Sequence, residues 1–293
     1  MIPGLAAGSL ALVLVSALAW AGFDLLRKLL AREIGPLPLM ALLCLASAPP
    51  FALWATLQGG FSVEPGYWAP ALGSVMLNVA ANLLFLEALR TGELSIAVPL
   101  LSLSPAFAAL VAIPLLGEHP TAIDGCGIAL VVVGAFVLQT PVDTERWTWR
   151  WMLAHRGLRL MAGTALLWSL TIPLDKLAVN RSHPPLHALV LNLGVAIAAL
   201  ALLAQRRQLH RLAELRRAPL LFLAALAVSA VALGAQLAAL QTVWVSIVET
   251  LKRTIGNLSA VAVGRLAFGE AVTRRKLAAV VLMAGGVALI LLL

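Results

Sequence analysis

Glu249, Lys252 and Arg253 stand within five residues of one another inside Val243–Glu270, a stretch otherwise apolar enough to cross a bilayer. At ~1.5 Å per residue, about twenty helical residues cover the ~30 Å hydrocarbon layer, so these charges would sit well inside it. Each costs roughly 2.5–3.5 kcal/mol there on insertion scales, so three together require a reason. On a helix at ~100° per residue, Ser246, Glu249, Arg253, Gly256, Asn257, Ala260 and Gly264 share one stripe, with Lys252 at its margin. Glu249 lies one turn before Lys252 and Arg253, within ion-pair reach of both. One carboxylate cannot neutralise two cations, so the surplus positive charge calls for a further anion, from the chain or from a ligand. Arginine offers a planar fork and lysine a point charge, a pair suited to a carboxylate or phosphate. The expectation is a substrate-binding stripe on a polar cavity, with Glu249 holding the cations apart or carrying a proton. The competing reading is a self-neutralised structural cluster, and both stay open.

Other polar groups are weighed the same way. Trp20 and Trp168 lie mid-segment rather than in an interfacial belt, where they either line a substrate pocket or fill the core. Asn78 and Asn82 are four apart on the third segment, with Glu87 beyond them. Asn82, and likewise Asn257, Gln236 and Gln241, serve either a cavity or interhelical hydrogen bonding. Asp24, Arg27 and Lys28 close the first segment and Asp175 with Lys176 closes the sixth, as gate or as interfacial anchors. Arg265 reads as a side chain snorkelling towards Glu270 and the interface.

Glu118 and Glu270 precede the fifth and tenth segments, where a carboxylate suits the positive end of a helix. Gly125, Gly127, Gly134, Gly285 and Gly286 are expected to let the fifth and tenth segments pack closely, and a homodimer contact is the other use of such a surface. His183 and His187 have metal-like spacing, but Pro184 and Pro185 stand between them, and without a helix that spacing carries no geometry. No P-loop run and no nucleophile–base arrangement is legible, so neither an enzyme nor a cofactor is expected.

The elements that must position these groups are long apolar segments. The chain of 293 residues is 61% hydrophobic and only 12% charged, with mean hydropathy +0.98, which fits an integral helical membrane protein. No period-2 alternation argues for a β-barrel. Ten segments are predicted, at roughly 5–30, 37–57, 67–90, 94–116, 121–141, 157–179, 186–204, 219–241, 243–268 and 274–293. Leu5 to about Leu26 lacks a basic leader and reads as a retained first helix. Net charge is +8, but the basic residues sit in short connections, where they meet membrane lipids rather than nucleic acid. In Gln205–Arg217, Leu209, Leu212 and Leu215 keep helix-like spacing, as a surface helix would.

The halves repeat. Trp20, Lys28 and Pro36 recur as Trp168, Lys176 and Pro184, each 148 positions on, and Gly117–Glu118 recurs as Gly269–Glu270, 152 positions on. The expected organisation is a five-helix repeat over 1–141, a basic, Trp-rich linker over 142–156 and a second five-helix repeat over 157–293. Five is odd, so the copies would insert with opposite topology, an arrangement known in transporters. Arginine and lysine crowd one set of connections, while the opposite side holds only Lys176 and Arg181. By the positive-inside rule both termini lie outside the cytoplasm, with Trp147, Trp149 and Trp151 as a cytoplasmic belt. Where the second copy has Glu249, Lys252 and Arg253, the first has Ala97, Leu100 and Leu101, so the charges are not required by the shared scaffold.

These features carry a resemblance. The runs ALAW (17–20), SIAVPLLSLSPAFAALVAIPLLGE (95–118), GIALVVVGAFVL (127–138), ETLKRTIGNLSAVAVGRLAFGE (249–270) and AGGVALILL (284–292) resemble the EamA-type branch of the drug/metabolite transporter superfamily. The resemblance implies an all-α membrane protein of ten transmembrane helices in two inverted five-helix repeats, in the bacterial cytoplasmic (inner) membrane. It implies a secondary transporter that exports or exchanges a small metabolite by alternating access. Relatives commonly keep both termini in the cytoplasm, whereas the arginine count here places them outside. Lys252–Arg253 is similar to the Lys-Arg pair with which plastid sugar-phosphate translocators hold phosphate. No lysine stands in the fourth segment, where those translocators have another ligand. The alternatives are a lipid-head-group flippase, or an exporter of neutral or cationic metabolites or drugs in which Lys252 and Arg253 are structural.

Overall fold

Ten α-helices run through residues 7–90, 98–139, 156–268 and 273–292, the parts described in a computed structural model of the chain, with no strand among them. They are α1 (Ala7–Leu30), α2 (Pro36–Leu57), α3 (Trp68–Arg90), α4 (Ser104–Leu116), α5 (Ala122–Gln139), α6 (Arg156–Val179), α7 (Pro184–Gln205), α8 (Pro219–Leu240), α9 (Val245–Phe268) and α10 (Arg274–Leu292). Six of these, α1–α3 and α6–α8, are long and apolar enough to cross a membrane, while α4 and α5 are shorter apolar helices. Outward-facing leucines such as Leu18, Leu53, Leu110, Leu220 and Leu223 are exposed, as a hydrocarbon-facing surface requires. The linker 142–155, Trp147, Trp149 and Trp151, and Gly269–Glu270 lie outside the described residues, as does the side chain of Arg265.

Helix ends follow local chemistry. Pro36, Pro184 and Pro219 each occupy the first turn of their helix, where the missing N–H costs nothing. The matching place of Pro36 and Pro184 explains why proline recurs at this position in both halves. Thr121 and Asp124 cap α5 reciprocally: the Asp124 carboxylate accepts from the Thr121 N–H and hydroxyl (both 2.8 Å). The Thr121 oxygen in turn accepts from the Asp124 N–H (3.2 Å). Gly117 ends α4 in the left-handed region at φ +64°, which a residue with a Cβ adopts only under strain.

Three sequence expectations are corrected. The fourth segment is not one helix: a 3-10 turn over Val98–Leu103 gives way to α4 at Ser104, because Pro99 and Pro105 cannot donate to an α-helical ladder. The surface helix forms, but as a 3-10 helix over Leu209–Arg217. The seventh helix starts before residue 186: Pro184 and Pro185 form its first turn, and His183 becomes its N-cap residue.

The chain divides into two compact units, each drawing on both sequence halves, with α3 and α6 contributing to both. One unit holds Gly4–Val79 and Leu174–Val243. In it α1 packs on α8 and α2 on α7, around Phe23, Leu30, Ile34, Leu39, Leu43, Phe222 and Ala225. The other unit holds Ala80–Pro173 and Trp244–Leu293. There α5 packs on α10, and α4 on α9. A Cβ on Gly127 would stand 2.7 Å from the Gly286 oxygen, and one on Gly134 would stand 2.8 Å from the Ala279 oxygen. Those glycines let the α5 and α10 backbones approach. Gly125 and Gly285 take no part, since a Cβ on either meets nothing within 4 Å.

Candidate functional site

The charged stripe of α9 is built into the second of these units. Glu249 is buried at 2% exposure and forms an ion pair with Lys252, whose side chain keeps 21% exposure. Arg253 turns to a different partner: its Nη2 donates to the hydroxyl of Ser104 at 2.9 Å. Ser104 is the first residue of α4, where the 3-10 turn ends, and its carbonyl accepts from the Ser169 hydroxyl of α6 at 3.1 Å. Helices α6, α4 and α9 are thereby joined through two serines. The Nε of Arg253 is buried and has no hydrogen-bond partner among the described residues, and the same holds for the hydroxyls of Ser246 and Ser102. A neutral hydroxyl anchors the guanidinium without cancelling its charge.

The N-terminus of α9 is itself held by a charge. The Glu118 carboxylate accepts the Val245 N–H on both oxygens, at 3.1 and 3.0 Å, and is 5% exposed. Glu118 therefore caps α9 rather than α5, which has its own cap in Thr121 and Asp124.

The remaining expected site residues disperse. Trp168 packs in an apolar cluster with Ala88, Leu101, Leu158, Met161 and Ala165, its ring 5.4 Å from that of Phe85. Asn257 is buried with its amide 3.8 Å from the sulfur of Met283 on α10. Asn82 is half-buried on α3. Trp20 belongs to the other unit, edge-on to Phe23 at 5.7 Å. Glu87 pairs with Arg156 at 2.9 Å on an exposed face, and Asp24 pairs with Arg27 along α1. Within its unit, Lys176 donates to the Val243 carbonyl at 2.7 Å.

That other unit contains a polar chain that joins Asp175, a gate or anchor candidate, and Asn78 to His187 and to two residues without a sequence signal, Tyr67 and Ser74. Tyr67, His187, Asp175 and Ser74 are all buried, at 0%, 0%, 4% and 0% exposure. The Tyr67 hydroxyl lies 3.2 Å from His187 Nδ1, and His187 Nε2 lies 3.1 Å from Asp175 Oδ1. Ser74 donates to the same carboxylate oxygen, and the Asn78 amide donates to Ser74 at 3.3 Å. A carboxylate only accepts, so Nε2 carries its proton and Nδ1 accepts from the tyrosine. The repeat offset holds a signal: Asp175 corresponds to Arg27 and His187 to Leu39, so the Asp–His pair of this chain of groups has no counterpart in the first copy.

Comparison with known proteins adds the following. A family model described as the EamA-like transporter family matches the chain twice, over residues 8–140 and 155–292. No curated protein matches it. One similar solved structure, titled "Crystal structure of protein", superposes with a TM-score of 0.73 at 17% identity, covering 98% of this chain and 97% of the other. At that identity the likeness speaks for the fold alone.

Proposed function

This chain belongs to the EamA-like transporter family, and on that premise we propose that it moves a small metabolite bearing a carboxylate or phosphate across its membrane. Members of the family are transporters, and the apolar helices make this one an integral membrane protein. In the proposed cycle the two repeats rock to expose the substrate to either side in turn, as exporter or exchanger. The proposed membrane is the bacterial inner membrane, with both termini outside the cytoplasm.

One observation carries the choice of an anion. Arg253 is held by the neutral Ser104 hydroxyl while its buried Nε has no hydrogen-bond partner among the described residues. A cation so placed has its charge available to a ligand, and a guanidinium edge matches carboxylate or phosphate oxygens two at a time. Lys252, tethered by Glu249, supplies a second positive charge beside it. The same two contacts favour a second reading, in which Lys252 and Arg253 are fully employed in holding α9 and the cargo is neutral or cationic.

Uptake into proteoliposomes across a panel of carboxylates, phosphates and organic cations separates these readings. The expected result is saturable uptake of an anion that Arg253→Ala and Lys252→Ala each abolish while both variants still insert and fold. If both variants carry an identified anion as well as the parent, the anion site is wrong and the structural reading stands. A cytoplasm-only reporter fused after Leu293 tests orientation separately, and strong activity there would reverse it.

A further inference from the structure

We infer that Tyr67, His187, Asp175 and Ser74 form a proton-binding site, and that a proton taken up there drives the conformational cycle of the transporter. This rests on membership of the family and not on what Lys252 and Arg253 bind.

A buried carboxylate in a membrane protein is costly unless something stabilises it, and such groups mark ion pathways and relays. Asp175 is stabilised by an imidazole and a hydroxyl, partners that can hold it in either charge state. His187 can accept a proton at Nδ1, the atom now facing the Tyr67 hydroxyl. The transfer balances simply. A hydronium ion gives a proton to the Tyr67 oxygen, leaving water, while the phenol proton passes to Nδ1 and the Nε2 proton passes to Asp175. The products are a neutral carboxylic acid, the other imidazole tautomer and an intact tyrosine. The pair gains one positive charge.

A cleft lies on the same unit. An open cleft of about 240 Å³ is lined by Ser62, Glu64, Arg181 and His183, among others. The Tyr67 N–H bonds to the Glu64 carbonyl and the His187 N–H to the His183 carbonyl, both at 3.2 Å, so the backbones of Tyr67 and His187 are anchored to residues that line the cleft. His183 is fixed there through Nε2 on the Gly60 carbonyl (2.8 Å), leaving a buried Nδ1 with no hydrogen-bond partner among the described residues. Within the same unit the other ionisable groups on the surrounding elements are Glu64, Arg181 and His183 in the connections, Lys176 on α6 and Cys44 on α2; Arg156 and Arg159 on α6 and Glu87 and Arg90 on α3 belong to the other unit, and α8 supplies none. At the inner end Ser74 and Asn78 extend the chain of hydrogen bonds along α3. The first repeat has Arg27 and Leu39 in place of Asp175 and His187, so the shared scaffold does not require this site.

A proton drives a conformational change only if the two states bind it with different affinity. The test therefore reads both binding and conformation, on the full chain in nanodiscs and without a transported substrate. Nitrogen-15 spectra of labelled histidine, followed from about pH 5 to pH 9, should show the protonated nitrogen of His187 change from Nε2 to Nδ1. Asp175→Asn should abolish that change, because the carboxylate that takes up the Nε2 proton is gone. Tyr67→Phe, which keeps the ring and the fold, should abolish it as well, because the hydroxyl that delivers a proton to Nδ1 is gone. Hydrogen exchange of the native chain should change over the same pH range, and Asp175→Asn should remove that change. The proposal is overturned if His187 keeps one tautomer throughout, if both variants change tautomer as the native chain does, or if hydrogen exchange is indifferent to pH while the tautomer changes.

Discussion

The carboxylate of Glu118 and the backbone N–H of Val245 are 3.0 and 3.1 Å apart on its two oxygens, so a residue from the first sequence half caps the helix that carries the charge cluster of the second. The Gly117–Glu118 pair does two jobs in succession. Glycine ends α4 in the left-handed region, and the glutamate, freed from the helix, turns its charge onto the positive end of α9. Glu118→Ala should cost about 1 kcal/mol of stability, and Glu118→Gln less, because an amide oxygen still accepts. Unfolding in detergent titrated with denaturant, followed by helix content, measures both. Variants that unfold together with the parent would show that the cap contributes nothing.

Close approach of α5 and α10 makes a sharper prediction. Gly127→Ala and Gly134→Ala would each drive a methyl group to within 3 Å of a backbone oxygen of α10, at Gly286 and Ala279. Overpacking of this kind costs roughly 1–3 kcal/mol. Gly125→Ala, which meets nothing within 4 Å, should be neutral or stabilising by up to about 1 kcal/mol through helix propensity. The same unfolding measurement ranks the three, and equal effects would remove the argument for backbone contact.

Around Arg253 the expected order of damage to anion uptake is Arg253→Ala, then Arg253→Lys, then Ser104→Ala. Lysine keeps the charge but loses the fork, which should weaken binding about tenfold or more. Ser104→Ala removes only an anchoring hydroxyl, for an effect of about three- to tenfold. The concentration dependence of uptake reads all three. If Ser104→Ala equals Arg253→Ala, the anchoring bond matters rather than the free edge of the guanidinium.

Helix positions were largely legible because punctuation residues mark them. The segments predicted at 37–57, 157–179, 219–241 and 274–293 form Pro36–Leu57, Arg156–Val179, Pro219–Leu240 and Arg274–Leu292, each opening on a proline or an arginine. The break in the fourth segment was also written in the sequence, since Pro99 and Pro105 both deny donors to an α-helix, yet its apolar content masked it. Partners were a different matter. Arg253 reaches Ser104 across 149 residues, and Asp175 reaches Ser74 across 101. A serine in an apolar helix carries no periodic signal, and nothing local says that a particular one will face a charge. The spacing of His183 and His187 reads as interrupted by two prolines, yet prolines in a first turn begin a helix, and His183 is its N-cap. The repeat is the better guide, because positions that differ between copies mark the α9 cluster, and the same comparison, extended, marks Asp175 and His187.

The connection before α8 should respond to acid. Glu214 accepts the Gly35 N–H at 2.8 Å and pairs with Arg211 at 2.8 Å, which ties the 3-10 helix Leu209–Arg217 to the start of α2. The Gly35 N–H, and after it Arg211, hold the Glu214 carboxyl below its ordinary range, against an opposing effect of burial. The sign follows. A carboxyl lowered in the folded state contributes stability that is fully present above the unfolded value of about 4.3. That contribution is lost as pH falls through the lower, folded value. The Gly35 amide should therefore exchange slowly at neutral pH and lose protection, after correction for intrinsic rates, only below about pH 4. Glu214→Gln should flatten this dependence, because the amide oxygen still accepts from Gly35 but no longer titrates. Amide exchange resolved at Gly35 in both proteins decides it: a loss of protection that persists unchanged in Glu214→Gln would assign the acid response to another group.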